Sequence, residues 1–446
     1  MREERIILDP FEFISYLEFR SFKAFNNHSM LKIRGVVKKD NAFRYIKMAE
    51  QELWIKVILQ SGDINRIFFQ GVIVELSMEM EGNLYMIEFV AKSGSFLLDI
   101  DKHIRSFQSA EIEFRHMTDM CLEKYINSSC IWLEEINENI KDFVMQYEET
   151  DWDFIKRICS WKEKVVYPVS HMQGIKFAIG LKKGEIRKLE SNNFIVKADS
   201  CGYTYIVSDR EVYDIGEFVL FNGIEMCVCK VISKMEGNEL YHQYHLRKEK
   251  QIKIQLMRNK ELRGVSIAAD VLAVEGDMVK IKILDDENYA KSGSRWFSYA
   301  TVYSTPDGTG WYCMPEVGDR VRIMFPDNEE KNAYIVSAVH MKNSQARCNP
   351  DYKSFMNKQH KEILFTPDAI ILRNNKGMEF LMKDGEGITI SSDKDITLLA
   401  ENEICISSNS SNITVEAEEA IALQQGNAKL SLSEGIKMTG GKINMN

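Results

Sequence analysis

The last sixty residues carry a repeat that limits what this chain can fold into. From Gly387 a short apolar–X–apolar triplet recurs about every eight residues. The triplets are Ile388-Thr389-Ile390, Ile396-Thr397-Leu398, Ile404-Cys405-Ile406, Ile413-Thr414-Val415, Ile421-Ala422-Leu423, Leu430-Ser431-Leu432, Ile436-Lys437-Met438 and Ile443-Asn444-Met445. Ser, Asp, Asn, Glu and Gly lie between them. In an extended strand each triplet places two apolar side chains on one face and one residue on the other. So short a strand cannot bury its apolar face alone and must stack on copies of itself. Eight residues are too few for one chain to close a coil, but three chains can each supply one side of a prism. The expected core of that trimeric β-prism is Ile388, Ile390, Ile396, Leu398, Ile404, Ile406, Ile413, Val415, Ile421, Leu423, Leu430 and Leu432. An antiparallel meander of eight-residue hairpins has the same periodicity. Uniform triplets that run to the C-terminus without a covering layer favour the prism.

A chain of 446 residues, 45% of them hydrophobic, has material for about three domains. Fifty-seven basic against 66 acidic residues leave a net charge of -9, without the basic signature of nucleic-acid binding. The start, MREERIILDPFEF, lacks an apolar signal segment, and no 18-residue apolar run could span a membrane. Nine scattered cysteines without a CxxC pair fit a reducing cytoplasm. Cys227 and Cys229 alternate on one face of an expected strand, where a core role outweighs metal binding.

Alternation and β-branched content predict strands at 29–37, 52–59, 66–76 and 84–91. The period shifts toward helix between about 105 and 163. A helix is expected after Asp151, with Trp152, Phe154, Ile155, Ile158 and Cys159 on its apolar side. Asp151 and Asp153 favour its start, and Asp151 or Thr150 caps it. Strands return at 175–181, 193–198, 203–208, 217–221 and 226–232. MVKIKIL (278–284) and RVRIMF (320–325) alternate cleanly within an 85-residue stretch that suits a small OB-type barrel.

Four segments, in order, resemble one family. IRSFQ (104–108) resembles an RxFQ segment through Arg105, Phe107 and Gln108. FVMQYEETDWDFIKRICSWKEKVVYP (143–168) resembles QYxExDxDFxxRL through Gln146, Tyr147, Asp151, Asp153 and Phe154. WYCMPEVGDRVRIMFPDNEEKNAYIVSAV (311–339), with MVKIKIL before it, resembles an OB-domain signature through Trp311, Pro315, Val317, Gly318, Val321, Phe325 and Pro326. The repeat resembles a spike β-helix. Together they resemble the hub–spike proteins of contractile injection machines: VgrG of type VI secretion, the fused hub and spike of myophage tails, and the late control protein D family. The loop PDNEEKNAY departs from the usual GDPDRP form, and the repeat lacks frequent Val-Gly pairs.

The resemblance implies a mainly β chain. Hub barrel one spans 1–104, a helical segment 105–164 and hub barrel two 165–254. An OB barrel spans 255–340, a connector 341–365 and an intertwined trimeric β-helix 366–446. It implies a homotrimer assembled in the cytoplasm as part of a phage tail, tail-like bacteriocin or type VI-like machine. Expected partners are the tail tube protein, baseplate proteins, a PAAR-like tip protein at the C-terminal end and the target envelope, with no nucleic acid. AT-rich codon usage suggested by Lys, Ile and Asn favours a phage or bacteriocin at least as much as a secretion system.

No catalytic, cofactor or metal site is expected. The gap between OB barrel and repeat is about 25 residues, too short for an inserted lysozyme-like domain. That weakens the alternative of a tail-associated cell-wall hydrolase, as the missing signal weakens a trimeric adhesin. Glu148-Glu149 and Asp151-Asp153 read as solvated or capping groups rather than a glycosidase pair. His242 and His245 share a face on a helix but point to opposite faces on a strand, so a shared metal is not expected. No GxSxG, HExxH or phosphate loop is present. Trp296, Phe297, Trp311 and Tyr312 are assigned to barrel core or trimer contact rather than to base stacking.

Overall fold

Every second side chain is buried along Met30–Val37, and Trp54–Ser61 follows the same rule over most of its length. That period of two makes strands of them. The computed structural model describes residues 4–181, 183–237, 239–336, 349–432 and 435–439. They fall into two compact units, Met1–His340 and Met341–Asn446.

The first β unit holds β1 (Glu4–Asp9), β2 (Ser15–Ala24), β3 (Met30–Val37), β4 (Trp54–Ser61), β5 (Ile64–Glu81) and β6 (Leu84–Ser93), with helix α1 (Lys39–Met48). Gly62 and Gly82, at φ +62° and +60°, turn the β4–β5 and β5–β6 hairpins. A central segment follows: β7 (Lys102–Phe107), α2 (Phe114–Leu122), β8 (Ser128–Trp132), β9 (Val144–Thr150) and α3 (Asp151–Ser160). The expected helical segment 105–164 is therefore only partly helical. Apolar spacing of three to four is confined to the two short helices, and β9 between them is an extended strand buried at its first three positions. The second β unit holds β10 (Val166–Pro168), β11 (Ile175–Ile179), β12 (Arg187–Leu189), β13 (Phe194–Asp199), β14 (Gly202–Asp209), β15 (Phe218–Phe221), β16 (Ile224–Glu236) and β17 (Glu239–Arg247).

The two β units join edge to edge. Their antiparallel path runs β1-β4-β5-β6-β3-β2-β16-β17-β14-β13, with β12 and β15 branching from β16. Each has its own apolar core, one around Phe19, Ile33, Val57, Phe69 and Phe89, the other around Val207, Phe221, Val228 and Tyr244. The central helices pack a third core around Trp152, Phe154 and Phe177.

Beyond these lie β18 (Ser266–Glu275), β19 (Met278–Ile283), β20 (Trp296–Ser298), β21 (Arg320–Met324) and β22 (Tyr334–Val336), in the order β20-β19-β18-β21-β22. The Ala300 N–H donates to the Ile335 carbonyl at 2.7 Å and ties the two ends together. The end of this domain and the start of the expected connector lie outside the described residues.

The second unit opens with an antiparallel meander of β23 (Lys353–Met356), β24 (Glu362–Phe365), β25 (Ala369–Arg373), β26 (Glu379–Lys383) and β27 (Gly387–Ser391). Two of these strands lie in what was expected to be connector, so sheet begins earlier than the triplets announce. A three-stranded sheet, β28 (Ile421–Gln425), β29 (Ala428–Leu432) and β30 (Ile436–Thr439), follows. The triplets at 396–398, 404–406 and 413–415 belong to no strand within the chain. The triplet at 443–445 lies outside the described residues.

Candidate functional site

The two hub segments singled out in the sequence meet in space. Arg105 projects from β7, Gln146 from β9, and Asp151 opens α3. The Arg105 guanidinium donates to Asp151 Oδ1 at 2.5 Å and to Gln146 Oε1 at 3.1 Å. Gln146 Nε2 donates to the same Asp151 oxygen at 3.1 Å, and the Tyr125 hydroxyl donates to Asp151 Oδ2 at 3.1 Å. Asp151 is 0% exposed. Burial works against the Arg105 charge, but Asp151 and then Glu287 hold its guanidinium above its ordinary value. Burial, helped by the Asp151 charge, pushes the Tyr125 hydroxyl up.

Asp151 and Glu149 therefore correct the expectation of solvated or capping carboxylates. The cap of α3 is Thr150, whose hydroxyl accepts from the Asp153 N–H at 3.2 Å. Glu149 accepts a two-pronged bond from Arg157, at 2.9 Å to each oxygen. Arg157 is almost wholly buried and also donates to the Met145 carbonyl at 2.9 Å and to Glu330 at 2.6 Å. Burial raises the Glu149 carboxyl in spite of Arg157. Only Glu148 and Asp153 are exposed, and Asp153 pairs with Lys156 at 2.7 Å.

These ions reach across to the OB barrel. Glu287 lies 2.8 Å from His103 Nδ1 and 3.4 Å from Arg105. Lys124 Nζ meets His103 Nε2 at 2.7 Å. An ammonium only donates, so Nε2 accepts and the network assigns the ring proton to Nδ1, facing Glu287. Asp286 accepts from the Ser106 N–H at 3.0 Å and from its hydroxyl at 2.5 Å. Asn288 donates to the Ser106 carbonyl at 2.8 Å, and the Gln108 N–H to the Ser292 carbonyl at 2.7 Å. Apolar contacts follow the same route. Phe143 and Met145 belong to the OB core, with the Phe143 ring 5.1 Å from Phe297 and 6.0 Å from Phe325. Phe107 stacks on Phe154 at 5.5 Å, on the helix side. Tyr147 contributes its carbonyl, which accepts from Asn259 at 2.8 Å.

The OB signature divides by role. Val321 and Phe325 are core. Gly318, at φ +88°, makes the turn before β21 and donates to the Val271 carbonyl at 2.9 Å. Pro315 is half-buried, while Trp311, Val317 and Pro326 are exposed. Phe297 is buried, Trp296 half-buried beneath Lys280, and Tyr312 exposed. In the repeat, Ile421, Leu430 and Leu432 are half-buried; Ile388, Ile390, Ile396, Leu398, Ile404, Ile406, Ile413, Val415 and Leu423 are exposed within the single chain.

His242 and His245 lie on strand β17. His242 is wholly buried against Ser233 at 2.7 Å, and His245 is half-buried. A bulge beside Val228 buries Cys227 and leaves Cys229 half-buried. No grouping of three His, Cys, Asp or Glu suited to a metal occurs among the described residues. Nor is any helix there long and apolar enough to cross a membrane. What the geometry does is cross-link: it fastens the hub segment to the OB barrel with buried ion pairs.

Comparison with known proteins agrees with this architecture. Residues 273–340 match the "Type VI secretion system/phage-baseplate injector OB domain". The E. coli c3393 protein superposes with a TM-score of 0.55 at 11% identity, covering 75% of this chain and 100% of that one. It is described as a component of the type VI secretion system with structural similarity to T4 bacteriophage tail proteins gp27 and gp5. The half-lidded Francisella PdpA–VgrG complex gives a TM-score of 0.59 at 8% identity, covering 87% of this chain and 88% of that one. A lidless PdpA–VgrG complex gives 0.53 at 8% identity, covering 84% and 93%. No curated protein sequence matches significantly. The fold is thus one shared with these type VI secretion and VgrG structures. Residues 273–340 match the injector OB domain, and the chain's fold resembles that of VgrG in those complexes.

Proposed function

We propose that three copies of this chain form the hub and central spike of a contractile injection machine. The hub joins tail tube to baseplate, the repeat carries the puncturing end, and a PAAR-like protein sharpens it against the target envelope. The work is mechanical rather than enzymatic. One observation carries the reading: the second unit leaves an apolar face open. Register through the meander aligns Phe355, Ile363, Leu372, Phe380 and Ile390 in one row, and Phe365, Ile370, Met382 and Ile388 in the next, on the same face. Seven of these nine are exposed large hydrophobics in the single chain. A sheet with such a face needs a partner layer, and identical copies around a three-fold axis supply one. The exposed triplets that follow fit the same need.

Light scattering on the purified chain tests this. Three times 51.6 kDa is expected. A stable folded monomer would overturn the reading.

A further inference from the structure

A cavity of about 510 Å³ opens where β5 meets the central segment and the second β unit. Ile131, Leu133, Val169 and Phe218 give it an apolar wall, and Tyr167 lines it from the small core beneath. Sites for small molecules commonly have this size and this make-up, apolar walls with a few fixed polar groups.

Two polar groups in the lining have bonding capacity to spare. Arg66, from β5, is half-buried. Its guanidinium donates to the Val212 carbonyl at 2.9 Å but pairs with no carboxylate among the described residues. A guanidinium carries five N–H donors, so most of its fork stays open. Tyr167, from β10, is 7% exposed, and its hydroxyl has no hydrogen-bond partner among the described residues. Burial pushes that hydroxyl up, so it keeps its proton and can donate. The chain opposite leaves it room: Gly216, at φ +84°, lies where a Cβ would come 2.4 Å from the Tyr167 oxygen.

The other charges in the lining are matched. Asp214 meets Lys23 at 2.9 Å and His171 at 3.5 Å, and Arg187 meets Glu217 at 2.7 Å. Arg187 also donates to the Val212 carbonyl, at 2.8 Å, so two guanidiniums converge on one oxygen. Like charges brought so close are relieved by an anion. Arg66 supplies one unmatched positive charge, which suits a monoanion. Asp214, Glu217 and the exposed Glu185 surround it and oppose a dianion such as phosphate. The apolar wall asks for carbon on the rest of the ligand. We propose that this cavity binds a small monocarboxylate with an aromatic or branched apolar body, held by Arg66 through its carboxylate and by Tyr167 through a second polar contact. Every group involved belongs to one chain, so the site does not depend on the trimeric reading above.

Calorimetric titration of the full-length protein with 3-phenylpropionate and with 4-methylpentanoate tests the site. Saturable binding of at least one is expected. The matching alcohol and inorganic phosphate should each bind at least about tenfold more weakly, because each lacks half of what the cavity recognises. Arg66→Gln should weaken the carboxylate at least about tenfold, and Tyr167→Phe about threefold, with light scattering and circular dichroism unchanged. Should Arg66→Gln fail to fold, the comparison of acid with alcohol on the unaltered chain still decides. No saturable binding of either acid at millimolar concentration, equal affinity for the alcohol, or equal affinity for phosphate would overturn the proposal.

Discussion

Asp151→Asn probes the ionic junction most directly. The substitution keeps shape but removes a charge that neutralises Arg105 in a site with no solvent access to Asp151. The new amide must also present its nitrogen or its oxygen to two donors, Arg105 and Gln146 Nε2, that now converge on one oxygen. Removing one member of a buried pair costs about 3–5 kcal/mol, because the survivor stays buried and unpaired. Here Arg105 retains Glu287 at 3.4 Å, but that carboxylate is 45% exposed and a weaker partner. The loss should therefore fall near the lower end, at about 3 kcal/mol. Urea unfolding at fixed protomer concentration measures it, and hydrogen exchange across 102–107 and 144–160 localises it. Adding Arg105→Met should recover part of the loss, since removing both charges is far less costly than stranding one. A loss below about 1 kcal/mol for Asp151→Asn, or strict additivity in the double variant, would refute the account of this network as a buried, coupled pair.

Phe143→Ala should cost about 3–5 kcal/mol and speed exchange in β19 and β21, because its ring fills the OB core; unchanged exchange there would mean the barrel does not depend on it. His242 is held down to about 4 by burial first and then by Lys23 and Arg66. A depressed histidine pKa means that the unfolded chain binds the extra proton. Its stabilisation is thus full above about pH 6.5 and lost as pH falls toward 4. His242→Phe should flatten the fall of the urea midpoint in that window, and an unchanged slope would exclude His242 as its source. In the repeat, Ile404→Asp should abolish heat and detergent resistance of the trimer, since a carboxylate at a three-fold core costs several kcal/mol, whereas Cys405→Asp should be nearly silent. The reverse result would shift the register by one residue, and two harmless substitutions would exclude a packed prism.

Strands were legible wherever one face is buried and the other wet. β3, β6, β19 and β21 lie within a residue or two of the alternating runs that predict them. α3 was legible because an apolar 3–4 spacing, two acidic residues and a capping threonine coincide. The outer half of β5 was not, since its alternating Glu and Met residues are mostly exposed and carry little core signal. The site was half legible. Arg105, Gln146 and Asp151 stood out by resemblance, but their chemistry did not. Acidic residues clustered at a helix start look solvated until their partners are known. Their partners, Arg105 and Arg157, are shared with Glu287 and Glu330, which lie more than 170 residues from those cations, beyond any local pattern.

The same contacts change the meaning of the boundary near residue 254. The sequence segments on either side are distinct, but the cores are shared: Phe143 and Met145, from the hub side, sit among Ala269, Ile281, Phe297 and Val321. Arg157 spans the boundary as well, bonding Glu149 with one edge and Glu330 with another. An OB barrel cut free at this point would open its apolar core to water and strand Glu330 without its cation. The two segments therefore hold together within one compact unit. A bend between them must break packed rings and buried ion pairs together.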